Sequence, residues 1–290
     1  MKNLEKIMMM IFILLLITSM NNCTSTTTDD ETIEDAQNTI SGIVSKGPIN
    51  GGTVSVYKLN ENASRGELLG TTISAADGSY SIATQYEGAI EVVVTGGTYS
   101  DEATGQTITL QAGYEMKAFI AQVSTQTKAS VTALTTIAAE NAYAYAYANT
   151  NSLSLAISDA NAKVATAFGL EGTDITEVEP TDLTSAEAKG NTFQHAEKYG
   201  AVLAALSQYA EDTGQSAEDV PALIAIMAED FQDGVFDNKN AQGLAIESTI
   251  ALTAEECIPN MNTYMNSFMG SRENKSGFSV KNMNDFNNSL

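Results

Sequence analysis

The chain predicts an α+β fold, with an antiparallel β-sandwich first and a helical domain after it. Three observations carry that expectation. Between residues 39 and 121 apolar residues recur at period two, with Gly- and Asp-containing turns at short intervals. From about residue 128 the composition turns alanine-rich and apolar residues recur at helical spacing. A length of 290 residues suffices for two modest domains behind a leader.

The β elements follow in order. "TISGIVSKG" opens the series, and "INGGTVSVYKL" places Val54 and Val56 two apart. In "GELLGTTISAADGSYSIAT" the Asp77-Gly78 pair predicts a hairpin between "TTIS" and "SYSIA". "GAIEVVVTGG" is rich in β-branched residues, which suit a pleated, buried surface. "QTITLQA" and "EMKAFIAQV" bring the expected count to six or seven strands.

The stretch from "SGIVSKGPINGGTVSVYKL" to "GTTISAADGSYSI" resembles the carboxypeptidase regulatory-like, or prealbumin-like, domain. A Gly-x-Val first strand, a second Gly-x-Val strand and an Asp-Gly-x-Tyr turn carry the resemblance, which covers about residues 39–122. It implies a non-catalytic sandwich and says almost nothing of function.

The helices come next. "SVTALTTIAAENAYAYAYA" lines up Val131, Leu134, Ile137 and Ala138, and its alternating Tyr143, Tyr145 and Tyr147 point different ways, one of them toward a domain interface. "SLSLAISDANAKVATAFGL" sets Leu153, Ile157, Ala160, Val164 and Phe168 on one stripe. Thr184-x-x-Glu187, Ser216-x-x-Asp219 and Thr253-x-x-Glu256 each read as a helix start. The run after Thr184 places Tyr199, Leu203, Leu206 and Tyr209 inward; the last helix passes through Met261, Met265 and Phe268. Residues 271–290, rich in Asn and Ser, are expected to be a disordered tail. The segments "VTALTTIAA", "ATAFGL" and "DFQDGVFDN" resemble the helical region that follows such sandwiches in some bacterial surface proteins and lipoproteins. The expected layout is thus 1–22 leader, 23–38 stalk, 39–127 sandwich, 128–270 helical domain and 271–290 tail.

The leader sets the expected address. Lys2 and Lys6 precede about 14 largely apolar residues, Ile7 to Met20. That run is shorter than the ~20 residues of a membrane-crossing helix and fits a secretory signal core. Cys23 follows after two asparagines. Its position resembles the lipobox of bacterial lipoproteins, in which this thiol is acylated and the chain is cut just before it; Asn21 and Asn22 stand where small residues are usual. Acyl chains hold a protein on a bilayer at about 0.8 kcal/mol per buried CH₂. "TSTTTDDETIEDAQN" has too few apolar side chains to offset the entropy of ordering, so it reads as a flexible stalk. The expected location is the bacterial cell envelope, at the outer membrane or cell surface rather than the inner membrane.

Charge narrows the partners. The formal net charge is −22, and loss of the leader leaves 12 basic and 35 acidic groups. Such a surface repels nucleic acid and favours cations or basic partners. With Cys23 acylated, Cys257 has no partner for a disulfide and reads as a small buried hydrophobe.

Candidate chemistry is sparse. In "EDFQDGVFD", Asp230, Asp233 and Asp237 surround Gly234. Clustered carboxylates around a sharp turn suit calcium, although the spacing is not that of an EF-hand; the alternative is a helix end with a solvated turn. Asp101 and Glu102, in the glycine-bearing loop 96–110, pose the same choice between a cation site and solvated turn residues. His195 is the sole histidine, too few for a zinc site. No Gly-x-Ser-x-Gly elbow and no nucleotide-binding glycine motif is present. The expectation is a non-enzymatic envelope lipoprotein that binds an envelope or extracellular protein or glycan, or works structurally. Its alternative is an accessory protein that holds a carbohydrate or peptide in a groove between the two domains. Calcium is the one cofactor considered.

Overall fold

The computed structural model describes residues 37–148, 152–189 and 191–289. Two four-stranded sheets come first. In one, β1 (Asn38–Ser45) runs antiparallel to β4 (Ser79–Thr84). Its other edge pairs in parallel with β9 (Gln126–Lys128) and β10 (Val131–Thr132). The other sheet is antiparallel in the order β3 (Arg65–Ile73), β2 (Thr53–Leu59), β5 (Ile90–Thr95), β8 (Glu115–Ile120). A ribbon of β6 (Thr98–Ser100) and β7 (Thr107–Thr109) stands apart.

Period-two patterning produces this core. Along β1 the side chains of Ile40 and Val44 are buried, and along β2 those of Val54 and Val56. They meet Ile82 of β4 and Val92 and Val94 of β5 in one apolar cluster. The two sheets therefore share a core, and the N-terminal part of the α+β fold is β.

The hairpin expected at Asp77-Gly78 is corrected. The local turn forms: Gly78 adopts φ 80°, Gly78 N–H donates to Ala75 O and Ala75 N–H to Ser79 O, both at 2.9 Å. But β3 pairs with β2 while β4 pairs with β1, so the chain crosses from one sheet to the other at this turn. Buried Ser74 pins the crossing. Its hydroxyl donates to Ile49 O and accepts from Gly52 N–H. Turn chemistry dictates a reversal, and the strand partners are chosen by burial.

After β10 the chain passes straight into α1 (Ala133–Ala148), then α2 (Leu153–Ala167), α3 (His195–Asp212) and α4 (Val220–Asp230). Short α5 (Ala254–Cys257), α6 (Met261–Met269) and α7 (Val280–Asn287) follow. The boundary expected at 127/128 falls inside β9. The first turn of α1 also closes the open edge of β8. Thr136 Oγ1 accepts from Lys117 N–H at 3.0 Å, and Thr135 Oγ1 donates to Lys117 O at 2.8 Å. Edge groups left bare invite pairing with another chain; here side-chain hydroxyls satisfy those of Lys117.

A second apolar cluster lies among the helices and takes in Phe119 from β8. Leu134 and Ile137, Val164 and Phe168, Leu203 and Leu206 are buried there, as their spacing predicts. Of the three tyrosines of α1, Tyr143 is exposed and Tyr145 packs against this cluster; the side chain of Tyr147 lies outside the described residues.

Three helix starts deserve comparison with expectation. Ser216 caps a 3₁₀ turn, Ala217–Asp219, that leads into α4, and Thr253 Oγ1 accepts from Glu256 N–H, as predicted. Pro259 then divides the last expected helix into α5 and α6, because it cannot supply the N–H that would continue the ladder. The start at Thr184 is corrected: only a 3₁₀ turn, Ala186–Ala188, forms there, and α3 begins ten residues later under a Gln194–Glu197 capping box. The disordered tail is corrected too. Phe278 and Met283 are buried, α7 starts on a Ser279–Asn282 capping box, and Lys275 and Ser276 N–H both donate to Leu183 O.

Candidate functional site

A cleft of about 470 Å³ opens where the sheets meet the helices. Residues 119–122 at the end of β8 and strand β9 form one wall, and the first half of α2 and the loop 173–177 form the others. On α2, Ser154, Ser158 and Asn161 recur at i, i+4 and i+7 and line the cleft together with the buried Ile157, while Ala156 and Ala160 turn into the core. Gln122, Gln126 and Thr127 face them from the sheet side. Lys128 lies against the same space and is paired with Glu179 at 2.6 Å. The lining is thus rich in hydroxyls and amides, with Phe119 its sole aromatic residue.

The acidic pair of the 96–110 loop is not solvated. Relative exposure is 0% for Asp101 and 5% for Glu102. The cation they meet is Lys46, itself 1% exposed, whose Nζ donates to Glu102 Oε2 at 2.6 Å and to Ser207 Oγ at 2.8 Å. Ser207, on α3, donates to Asp101 Oδ2 and lies 2.9 Å from Glu102 Oε2. Asp101 Oδ1 accepts from Ala103 N–H, Thr104 N–H and Thr104 Oγ1, which holds its carboxylate in place. Burial pushes the Glu102 carboxyl up from its ordinary range, against the pull of Lys46. No spacing in the sequence links residues 46, 101 and 207. Three separate elements bring them together, so sequence reading found the acids and missed Lys46 and Ser207.

The second acidic group is arranged differently. Asp230 ends α4 and is buried; its Oδ1 accepts from Asp237 N–H at 3.0 Å and Asn238 N–H at 2.8 Å. Its Oδ2 has no partner, and burial raises its carboxyl above the usual range. Asp233 accepts from Val235 N–H, and Asp237 pairs with Lys239 at 2.9 Å. Gly234, at φ 89°, supplies the left-handed turn on which the loop reverses. Each of these carboxylates is engaged by the backbone or side chains of its own loop. Among the described residues, no three His, Cys, Asp or Glu side chains form a group able to hold a metal ion.

His195 opens α3 rather than sitting mid-helix. Its Nδ1 is 2.8 Å from Thr173 Oγ1 and its ring lies edge-on to Phe286. Cys257 is buried in the helical core, where burial pushes its thiol up and away from the reactive thiolate. Cys23 lies outside the described residues. Among those residues, no helix is long and apolar enough to cross a membrane.

No protein-family model matches the chain, and no curated protein does. One solved structure with a partial likeness is that of a 9R-lipoxygenase from Cyanothece PCC8801, at 9% identity and a TM-score of 0.22. The likeness covers 64% of this chain and 24% of that one. At that TM-score it carries no argument about fold or activity.

Proposed function

We propose that this protein is a lipid-anchored component of a bacterial envelope, displayed at the outer membrane or cell surface, with a non-catalytic binding or structural role. The observation that carries the reading is Cys23, placed directly behind a short apolar run with Lys2 and Lys6 before it. Strand β1 starts at Asn38, so 14 mostly polar residues of sequence separate Cys23 from the first described strand. The two sheets, on this reading, are a prealbumin-like sandwich used as a scaffold.

A second reading draws on the cleft. Its hydroxyl and amide lining suits a polar ligand, a glycan or a peptide, held by hydrogen bonds at the junction of sheet and helix. An exposed acidic surface, with net charge −22, adds a preference for neutral or basic partners.

Metabolic labelling with a fatty-acid probe tests the anchor. Wild-type chain takes up label and stays with the membrane fraction; Cys23→Ser takes up none and leaves it. Equal labelling of both chains, or an unlabelled wild type that still carries its leader, would refute the reading.

A further inference from the structure

Four buried groups from three parts of the chain form one closed network: Lys46 after β1, Asp101 and Glu102 after β6, and Ser207 on α3. Formal charges of one cation and two anions leave an excess negative charge in a place from which water is excluded. Leaving such a charge unmatched is costly, and burial raises the Glu102 carboxyl, which favours one extra proton there. With that proton the network is neutral overall. The same proton count also describes an uncharged amine beside two uncharged carboxyl groups, reached by passing one proton from Lys46 through the Ser207 hydroxyl to Asp101. The Ser207 oxygen contacts all three side chains, which makes that passage short.

From this geometry we propose that Lys46 and Glu102 condense to an intramolecular amide, a covalent cross-link between the end of β1 and the loop after β6. The amine nitrogen attacks Cδ of Glu102. Asp101, through Ser207, gives a proton to the departing hydroxyl and takes one back from the nitrogen. The C–OH bond breaks, a C–N bond forms, and one water leaves. Asp101 ends as it began, and the step needs no oxidant or external reagent.

Three further features fit this chemistry. Lys46 Nζ lies 2.6 Å from Glu102 Oε2, an oxygen bonded to the Cδ that it would attack. Groups held in this way react at effective concentrations far above those of free solutes. Glu102 also lines a void of about 10 Å³ with Ser45, Gly47 and Gly200. That is room for roughly one water, the by-product of condensation. Finally, the buried Tyr99 ring lies 5.8 Å from Lys46 Nζ, and both side chains are almost wholly out of solvent.

Peptide mapping of the full chain tests this directly. A protease that cuts before Asp should release residues 35–76 and 101–158 as separate peptides from an unlinked chain. The expected result is one branched species at the sum of the two masses less about 18 Da, one water, as a condensation of two close groups requires. Lys46→Arg and Glu102→Ala should each give the two linear peptides. Asp101→Asn, which keeps the shape but cannot relay a proton, should leave most chains unlinked, with its fold checked by circular dichroism. Recovery of only linear peptides at their sequence masses from wild-type chain overturns the proposal and leaves an ion pair. A branched species that persists in Lys46→Arg overturns it equally.

Discussion

Gly200 sets the spacing between α3 and the segment that precedes it. A methyl group there would overlap the carbonyl oxygen of Thr181 and lie 3.1 Å from its carbon. Two effects oppose each other in Gly200→Ala. Alanine in place of glycine inside a helix favours folding by about 1 kcal/mol. Against this, relieving the overlap moves residues 181–183 outward by roughly 1 Å, and forcing atoms into a filled site costs about 1–3 kcal/mol. The move also stretches the bonds from Thr181 N–H to Ala196 O, 3.0 Å, and from Thr181 Oγ1 to Glu197 Oε1, 3.2 Å. Each bond is worth about 1 kcal/mol. The adjoining void of about 10 Å³ cannot absorb a displaced carbonyl. Overlap wins, with a net loss of about 2–3 kcal/mol once the helix gain is set against overpacking and weakened bonds. Urea unfolding followed by circular dichroism reads this as a midpoint lowered by about 1 M, for a slope near 2–3 kcal/mol per M. An unchanged or raised midpoint would show that helix propensity governs this position and that the contact with Thr181 yields freely.

Two other perturbations probe the buried polar groups. Because burial raises the Asp230 carboxyl above its ordinary 3.8, the folded state binds its proton more tightly than the unfolded chain does. Its stabilising effect is therefore complete below pH 3.8 and is lost as pH rises through the folded value. Asp230→Asn should accordingly match or exceed wild type in stability at neutral pH and lose that advantage as pH falls toward 3.8; thermal melts of both chains across that range check it, and a constant difference refutes it. Tyr199→Phe removes a hydroxyl buried between Thr132 Oγ1, 2.6 Å away, and Ile175 O. It leaves the Thr132 hydroxyl with Thr135 N–H as its remaining partner and takes the phenol away from the loop carbonyl, so unfolding free energy should fall by about 1–3 kcal/mol, whereas no change in a urea titration would mean that water replaces the phenol there.

Much of the architecture was legible because it rests on local periodicity. Val54 and Val56, Leu203 and Leu206 point inward in strands and helices that their spacing foretells. What escaped reading depends on partners distant in sequence. Asp77-Gly78 makes its turn, yet nothing within that stretch says that β4 will join β1 instead of β3. Strands β9 and β10 are three and two residues long, too short to show a period, and exist because β1 has a free edge to offer them. The tail looked unstructured by composition, while Phe278 and Met283 are buried in the helical cluster, Phe278 edge-on to Phe193. Of the site residues, carboxylates advertise themselves by clustering. Lys46 does not, since its role is defined by a loop 56 residues away and a helix 161 residues away.

Strand β1 is the first described element, and its neighbours β9 and β10 lead directly into the helices. A tether pulling on Asn38 while the helical side grips a partner would draw these parallel strands in opposite directions along their length. Every hydrogen bond between them would then carry force at once, rather than yielding singly like a zipper. If the proposed anchor holds, a part mounted in this way would resist tearing best along the line from the anchor to a bound partner.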